Sequence, residues 1–283
     1  MAHEELAYTV QAMSRESPLG KPTSYPEQYS PELLYSIDRG DGRAALGLSK
    51  ELPFHGVDIW NAWELSWLDA GGKPHVAAAE VRVPAASRSI VESKSLKLYL
   101  NSFSMTRFDS TSEVAAIIGR DISACVGSDV AVRVRSPSKT DALPVARLPG
   151  ACIDALDVHC HAYHVESDLL AADKNEIVRE DLHTHLLRTL CPVTSQPDTG
   201  SLLFSYRGPR IDREGLLRYV VSYRQHNDFH EACVERMFVD ILERCGAEQL
   251  TVYARYLRRG GIDINPFRSN FEEDPPDIRL WRQ

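Results

Sequence analysis

The chain has 283 residues, 43% of them hydrophobic and 25% charged, with a formal net charge of −8. That length allows one large domain or two moderate ones burying roughly three quarters of the unfolded surface, and no apolar run approaches the roughly 20 residues of a membrane span. The acidic balance excludes broad electrostatic attachment to nucleic acid, which needs a basic face, so neither a membrane nor a nucleic acid is expected as a direct partner.

The first 50 residues, rich in Pro, Ser, Gly and Tyr, read as an extended wrapping segment over 1–50. They begin without a basic region followed by a continuous apolar stretch, so a secretory signal is not expected and a cytoplasmic location is. Six cysteines (Cys125, Cys152, Cys160, Cys191, Cys233 and Cys245) lack CxxC spacing and fit free thiols in a reducing compartment. A first half is expected over 51–150 and a second over 151–283, the passage between them starting at SPSKTDALPVARLPG, 136–150.

Sliding the chain against itself by 120 residues sets Leu96, Tyr99, Ser102 and Phe103 over Leu216, Tyr219, Ser222 and Tyr223. The same offset sets Ile118 over Phe238 and Val132 over Val252, so one unit is read as occurring twice. Each copy reads as a strand (LKLYLNSF or LLRYVVSY), a turn, an amphipathic helix, a Gly stop and another strand. Ser110 with Glu113, and Asp228 with Glu231, have capping-box spacing, and Gly127 and Gly246 stand where a left-handed C-terminal residue is wanted. Tyr206-Arg-Gly-Pro-Arg210 reads as a hairpin connection. Strand pairs joined by helices give an α+β expectation, antiparallel sheets with helices on one face.

Two stretches carry the chemistry, ESKSLKLY (Glu92–Tyr99) and CPVTSQPD (Cys191–Asp198). A carboxylate can accept from the adjacent ring N–H and amino group of a guanine-like base; Glu92 and Glu231 are the candidates, with a solvated strand residue and a helix cap as their plain alternatives. His230 could bond a ligand or carry a proton. Lys94 and Arg259 suit cofactor phosphates, with Gly260 and Gly261 allowing close backbone approach; a charged strand end and a turn explain them equally. Cys191 and Asp198 can share one loop as nucleophile and acid, against a buried cysteine near a turn aspartate. His159-Cys160-His161 with His164 lacks a second separated ligand pair, Cys152 has no support as a ligand, and no metal site is expected. There is no P-loop and no GxGxxG.

ESKSLKLYLNSF, CPVTSQPD, HNDFHE (226–231) and RRGGIDINPFRS (258–269) together resemble the NADPH-dependent nitrile reductases acting on 7-cyano-7-deazaguanine, the QueF type, in its long form. The resemblance implies two tandem tunnelling-fold units and reduction of the nitrile to 7-aminomethyl-7-deazaguanine for the queuosine modification of transfer RNA. It implies that Cys191 forms a thioimide and Asp198 protonates nitrogen. It further implies that Val91, Glu92, Ser93, His230 and Glu231 hold the deazaguanine, that Ser93, Lys94, Arg259 and Gly260 hold NADPH, and that the enzyme is a homodimer. The rivals are a zinc-dependent tunnelling-fold purine or pterin hydrolase, using His159, His161 and a cysteine, and a non-catalytic purine-binding module.

Overall fold

The computed structural model describes residues 25–48, 51–137, 145–273 and 275–283. Residues 1–24 and 49–50 of the expected wrapping segment, and 138–144 of the passage between halves, lie outside the described residues. Within 25–48 the chain forms a 3-10 turn at Pro31–Leu33, strand β1 (Ser36–Asp38) and the short helix α1 (Gly40–Ala45). The described residues fall into two compact units: 25–42, 57–137 and 258–264 form unit one, and 43–56, 145–257 and 265–283 form unit two. The basic turn after Leu257 therefore belongs to unit one.

In unit one, β2 (His55–Leu68) and β3 (Pro74–Pro84) make an antiparallel hairpin, β4 (Ser89–Val91) pairs with β1, and helices α2 (Ser93–Asn101) and α3 (Thr111–Val126) follow. Strand β5 (Ala131–Arg135) then returns antiparallel onto β3. Alternation along β3 puts Ala77, Ala79, Val81 and Val83 on one face. Against them lie Leu96, Tyr99, Leu100 and Phe103 at i, i+3, i+4 and i+7, and Val114, Ile118, Ile122 and Val126 of α3, all in one buried cluster. Both helices thus cover one face of the sheet, each fully buried large side chain contributing about 1.5–3 kcal/mol.

LKLYLNSF is helical for most of its length, not a strand. Glu92 caps α2 by accepting from Lys94 N and Ser95 N, both at 2.8 Å, and the 3.6-residue spacing of Leu96, Tyr99, Leu100 and Phe103 outweighs the alternation of Leu96, Leu98 and Leu100. LLRYVVSY is helical for the same reason, with Asp212 accepting from Glu214 N and Gly215 N.

Unit two contains β6 (Val145–Ala146), β7 (Ala151–Cys152), the hairpin β8 (Ala172–Leu190) and β9 (Pro197–Ile211), helices α4 (Arg213–Ser222) and α5 (His230–Cys245), and β10 (Gln249–Tyr256). It also holds the later part of β11 (Ile262–Ser269), and β12 (Arg279–Leu280). β8, β9, β10 and β11 pair antiparallel in that order. Parallel pairing occurs at β7 on β8 and β6 on β12, each over two residues, which the antiparallel expectation did not include. Tyr206–Arg210 is no hairpin turn: it runs inside β9, where a Cβ on Gly208 would stand 2.9 Å from the Cα of Ala247. That glycine serves close approach rather than chain reversal.

Both units follow the order hairpin, helix, helix, strand. α2 and α4 start 120 residues apart, and the internal bonds repeat with them. Tyr99 Oη donates to Asp121 at 2.7 Å and Tyr219 Oη to Asp240 at 2.6 Å, while Ser102 and Ser222 each donate to the carbonyl three residues back at 2.6 Å. α3 and α5 end on Gly127 and Gly246 at φ 68° and 69°, the left-handed stop expected of each. The architecture is α+β with two tandem units. Among the described residues no helix is long and apolar enough to cross a membrane.

Candidate active site

The hairpin of unit two fixes the thiol. Thr189 stands opposite Asp198 and Leu190 opposite Pro197, so Asp198 has already entered β9 rather than sharing a free loop with Cys191. Successive strand residues alternate faces, which gives Thr189 and Cys191 one face and puts Asp198 on it by cross-strand pairing. All three are buried, Cys191 to 6% exposure and Asp198 to 5%. The tip closes through Ser195 N to Cys191 O (3.0 Å) and Cys191 N to Gln196 O (2.9 Å). Ser195 takes φ 53° to allow this, a left-handed conformation that costs a non-glycine residue about 1 kcal/mol or more.

The segment HNDFHE is strapped along this tip. Leu190 N donates to His226 O at 2.8 Å and Asp228 N to Leu190 O at 3.2 Å, while Asn227 Nδ2 reaches Cys191 O at 3.3 Å and Ser195 Oγ at 3.2 Å. The strap delivers the start of α5 to the acid: His230 Nε2 lies 3.3 Å from Asp198 Oδ2, with its ring flat on Tyr256 at 3.7 Å. Glu231 follows in the first turn, 3% exposed. The expected Asp228–Glu231 capping box does not form. The N-cap is Phe229, without a side-chain cap, and Asp228 Oδ1 accepts from Phe229 N at 2.8 Å instead. Cys233, on the next turn, is fully buried, and burial followed by the Asp228 carboxylate pushes its thiol well above the ordinary range.

In unit one the ESKSLKLY segment is a strand end, a cap and a helix start. Val91 ends β4, Glu92 caps α2, and Ser93 and Lys94 open its first turn. Burial raises the Glu92 carboxyl, opposed by the Lys94 and Ser95 amides and then by the Lys97 and Lys94 charges. RRGGID forms a two-residue reversal: Arg259 N donates to Ile262 O at 2.9 Å, with Gly260 at φ 58° and Gly261 at φ 79°. A Cβ on Gly260 would stand 3.3 Å from Cδ of Lys97, and Arg258 lies over Trp63 at 5.6 Å. Lys97 is thereby set against the Arg258-Arg259 turn, and Lys94 lies one helical turn before it. This cationic set with an open glycine backbone fits a phosphorylated dinucleotide such as NADPH.

The expected site residues therefore divide by unit: Val91, Glu92, Ser93, Lys94, Arg259 and Gly260 in unit one, and Cys191, Asp198, His230 and Glu231 in unit two. Asn227 and Tyr256 carry structural weight that sequence reasoning did not assign. Asn227 was within reach, since it lies inside HNDFHE, whereas nothing in VYARY marks Tyr256 as a ring support.

Residues 25–134 match the family described as nitrile reductase, 7-cyano-7-deazaguanine reductase N-terminal part, and 197–275 match the QueF-like protein family. Over 274 residues the chain is 51% identical to the NADPH-dependent 7-cyano-7-deazaguanine reductase of Chromobacterium violaceum, covering 96% of this chain and 98% of the relative. The reductases of the same name from Desulfotalea psychrophila and Bordetella parapertussis are 50% and 53% identical over 268 residues, 94% of this chain and 97% and 98% of theirs. The chain belongs to the NADPH-dependent 7-cyano-7-deazaguanine reductase family. Both signature segments of this reductase family member lie in described structure, ESKSLKLY mostly buried and CPVTSQPD buried at its two ends, Cys191 and Asp198, and the family matches divide between its two halves.

Proposed function

We propose that this chain reduces the nitrile of 7-cyano-7-deazaguanine to the aminomethyl group, within queuosine biosynthesis, with Cys191 as nucleophile and Asp198 as proton donor. The observation that carries the reading is the pairing of a buried thiol and a buried carboxylate on one hairpin face, in a chain that aligns with these reductases almost end to end.

The Cys191 sulfur adds to the nitrile carbon as a thiolate, forming a C–S bond, and the nitrogen takes a proton from Asp198 to give a thioimide. His230, whose Nε2 lies 3.3 Å from Asp198 Oδ2, orients that acid. Water must be kept away, because a solvated thioimide would hydrolyse, and the burial of Cys191 and Asp198 supports this. Glu231 and Glu92 are assigned to the ring N–H and amino group of the deazaguanine, Val91 and Ser93 to its edge. Glu92 can serve while capping α2, since each of its oxygens has a second lone pair.

Ser93, Lys94, Arg259 and Gly260 would hold NADPH. When bound, NADPH supplies hydride, and two equivalents complete the four-electron change from nitrile to primary amine. We further propose a cytoplasmic homodimer without direct nucleic-acid contact, which light scattering and mobility-shift measurements address. The deciding experiment follows NADPH absorbance with 7-cyano-7-deazaguanine and weighs the protein after substrate alone. Nitrile-dependent oxidation and an adduct on Cys191 are expected. Full turnover by Cys191→Ala overturns the reading.

A further inference from the structure

The four residues His159, Cys160, His161 and His164, weighed as a metal cluster from their spacing, do not gather among the described residues. A different set does. One donor atom each of Cys152, His183 and His185 lies within 4.8 Å of the others, in unit two. His185 is six residues before Cys191 on β8, on the order of 20 Å away at strand rise, so this thiol takes no part in the chemistry proposed above.

Three features build the cluster. Gly150, at φ 78°, lets the chain reach β8 so closely that a Cβ there would stand 2.0 Å from Asp181 O. That approach pairs Cys152 with His183 in parallel register, and Ile153 N donates to His183 O at 3.0 Å. Next, the β8–β9 register shifts between Thr184 and Leu187, so that two residues of β8, His185 and Leu186, face the single Ser201. Such a bulge re-aims a side chain. It is pinned by Asp154, two residues after Cys152, which accepts from Thr184 Oγ1 at 2.6 Å and from His185 N at 3.1 and 3.2 Å.

The third feature is the second layer of hydrogen bonds. His183 Nδ1 lies 2.8 Å from Pro149 O, which can only accept, so Nδ1 carries the proton and Nε2 the lone pair. His185 Nδ1 lies 2.7 Å from Ser201 Oγ, which can accept in the same way. An imidazole whose Nδ1–H is held by a carbonyl or hydroxyl is oriented as metal-binding histidines are. The rings stand 5.4 Å apart at 63°, edge to face rather than stacked, with His183 9% exposed and Cys152 exposed. Ligand atoms around tetrahedral zinc lie roughly 3.5 Å apart, a spacing the set can reach by small side-chain adjustments from separations of 4.8 Å or less.

We propose that Cys152, His183 and His185 bind a divalent transition-metal ion of the zinc type, with water in the fourth position. One thiolate and two neutral imidazoles suit a borderline-soft ion over calcium or magnesium, which require oxygen. The ion clips the two-residue strand β7 to β8, adding a side-chain link where the backbone offers one short stretch of pairing.

The test uses the full chain, stripped with a chelator and titrated with cobalt(II), then zinc(II). One equivalent of cobalt is expected to bind with thiolate-to-cobalt charge-transfer absorption and the intense visible bands of a tetrahedral site, both abolished by zinc. Cys152→Ser should lose the charge-transfer band and bind roughly tenfold or more weakly, while Cys191→Ala should keep both. Failure of the wild type to take up cobalt at micromolar concentration overturns the proposal, and so does a band of full strength in Cys152→Ser. Because the readout is spectroscopic, it stands or falls apart from nitrile reduction.

Discussion

The two hairpin tips of the repeated unit occupy matching places and do different things. In unit one, Leu68 stands opposite Pro74, and residues 69–73 close as a turn in which Lys73 N donates to Asp69 Oδ1 at 2.9 Å. In unit two, Leu190 stands opposite Pro197, and the tip is one residue longer, 191–196, with a buried cysteine at its start. Both tips are strapped alike: Leu68 N to Thr106 O and Phe108 N to Leu68 O are repeated by Leu190 N to His226 O and Asp228 N to Leu190 O, the strap residues 120 positions on and the leucines 122. The positions of Asp198 and Thr189 are taken in unit one by His75 and Trp67, whose rings stack at 5.6 Å. The scaffold repeats; the buried cysteine and aspartate stand in one copy of the tip. The second helices differ in the same sense. Ser110 caps α3, accepting from Glu113 N at 3.1 Å, whereas α5 begins without a side-chain cap and presents His230 to Asp198. Helix-start stability worth about 1 kcal/mol is kept in one copy and given up in the other.

The largest effect should separate the tips. Asp198→Asn is expected to lower kcat by roughly 10²- to 10⁴-fold with little change in Tm, and His75→Ala to leave kcat unchanged; equal losses from both would break the comparison. Next in size are the shared tyrosines. Tyr99→Phe and Tyr219→Phe each leave a partly buried carboxylate short of a donor and should cost about 1–2 kcal/mol in urea unfolding. A cost at one position only would mean that the repeat is one of shape without matching energetics. Ser110→Ala should cost about 1 kcal/mol by the same measurement, and an unchanged midpoint would remove the contrast between helix starts.

The smallest effect concerns pH. Burial raises the folded Glu92 carboxyl above its ordinary 4.5, so the folded protein holds that proton more tightly than the unfolded chain. The contribution is complete below the unfolded value and is lost as pH rises through the folded one. Relative to Glu92→Gln, with a constant offset for the altered cap, the wild type should lose stability from about pH 4.5 towards neutrality. Parallel unfolding curves for the two proteins would contradict this.

The duplication was legible because buried positions with one task, such as Tyr99 and Tyr219, keep one residue type, and Gly127 and Gly246 answer a backbone demand few other residues meet. LKLYLNSF has the pattern of a strand because Leu96, Leu98 and Leu100 alternate, and the helix start is set by Glu92, a capping residue outside the usual Ser, Thr, Asp and Asn. Gly208-Pro209 looked like a turn, yet the glycine answers Ala247, a neighbour almost forty residues on. The capping box at Asp228 was one residue out of frame. The candidate site was legible through its motifs, while its stacking partner Tyr256 arrives on β10, a strand that carries none of them. Cys152 gave no signal at all, since its neighbours come from a parallel pairing that local pattern does not encode.

The exposure of Cys152 also decides what a labelling reagent reports. Cys125 and Cys245 are pushed up to about 11 and about 12 by burial, and burial raises Cys233 well above its ordinary value as well. Cys191 is 6% exposed. A maleimide added to the metal-free protein therefore meets the exposed Cys152 and the partly exposed Cys160 before the buried thiols. Counting alkylated thiols would overstate the number of modified Cys191 side chains, whereas a fluorophore placed on Cys152 offers a reporter on the strand beside β8 that leaves Cys191 untouched.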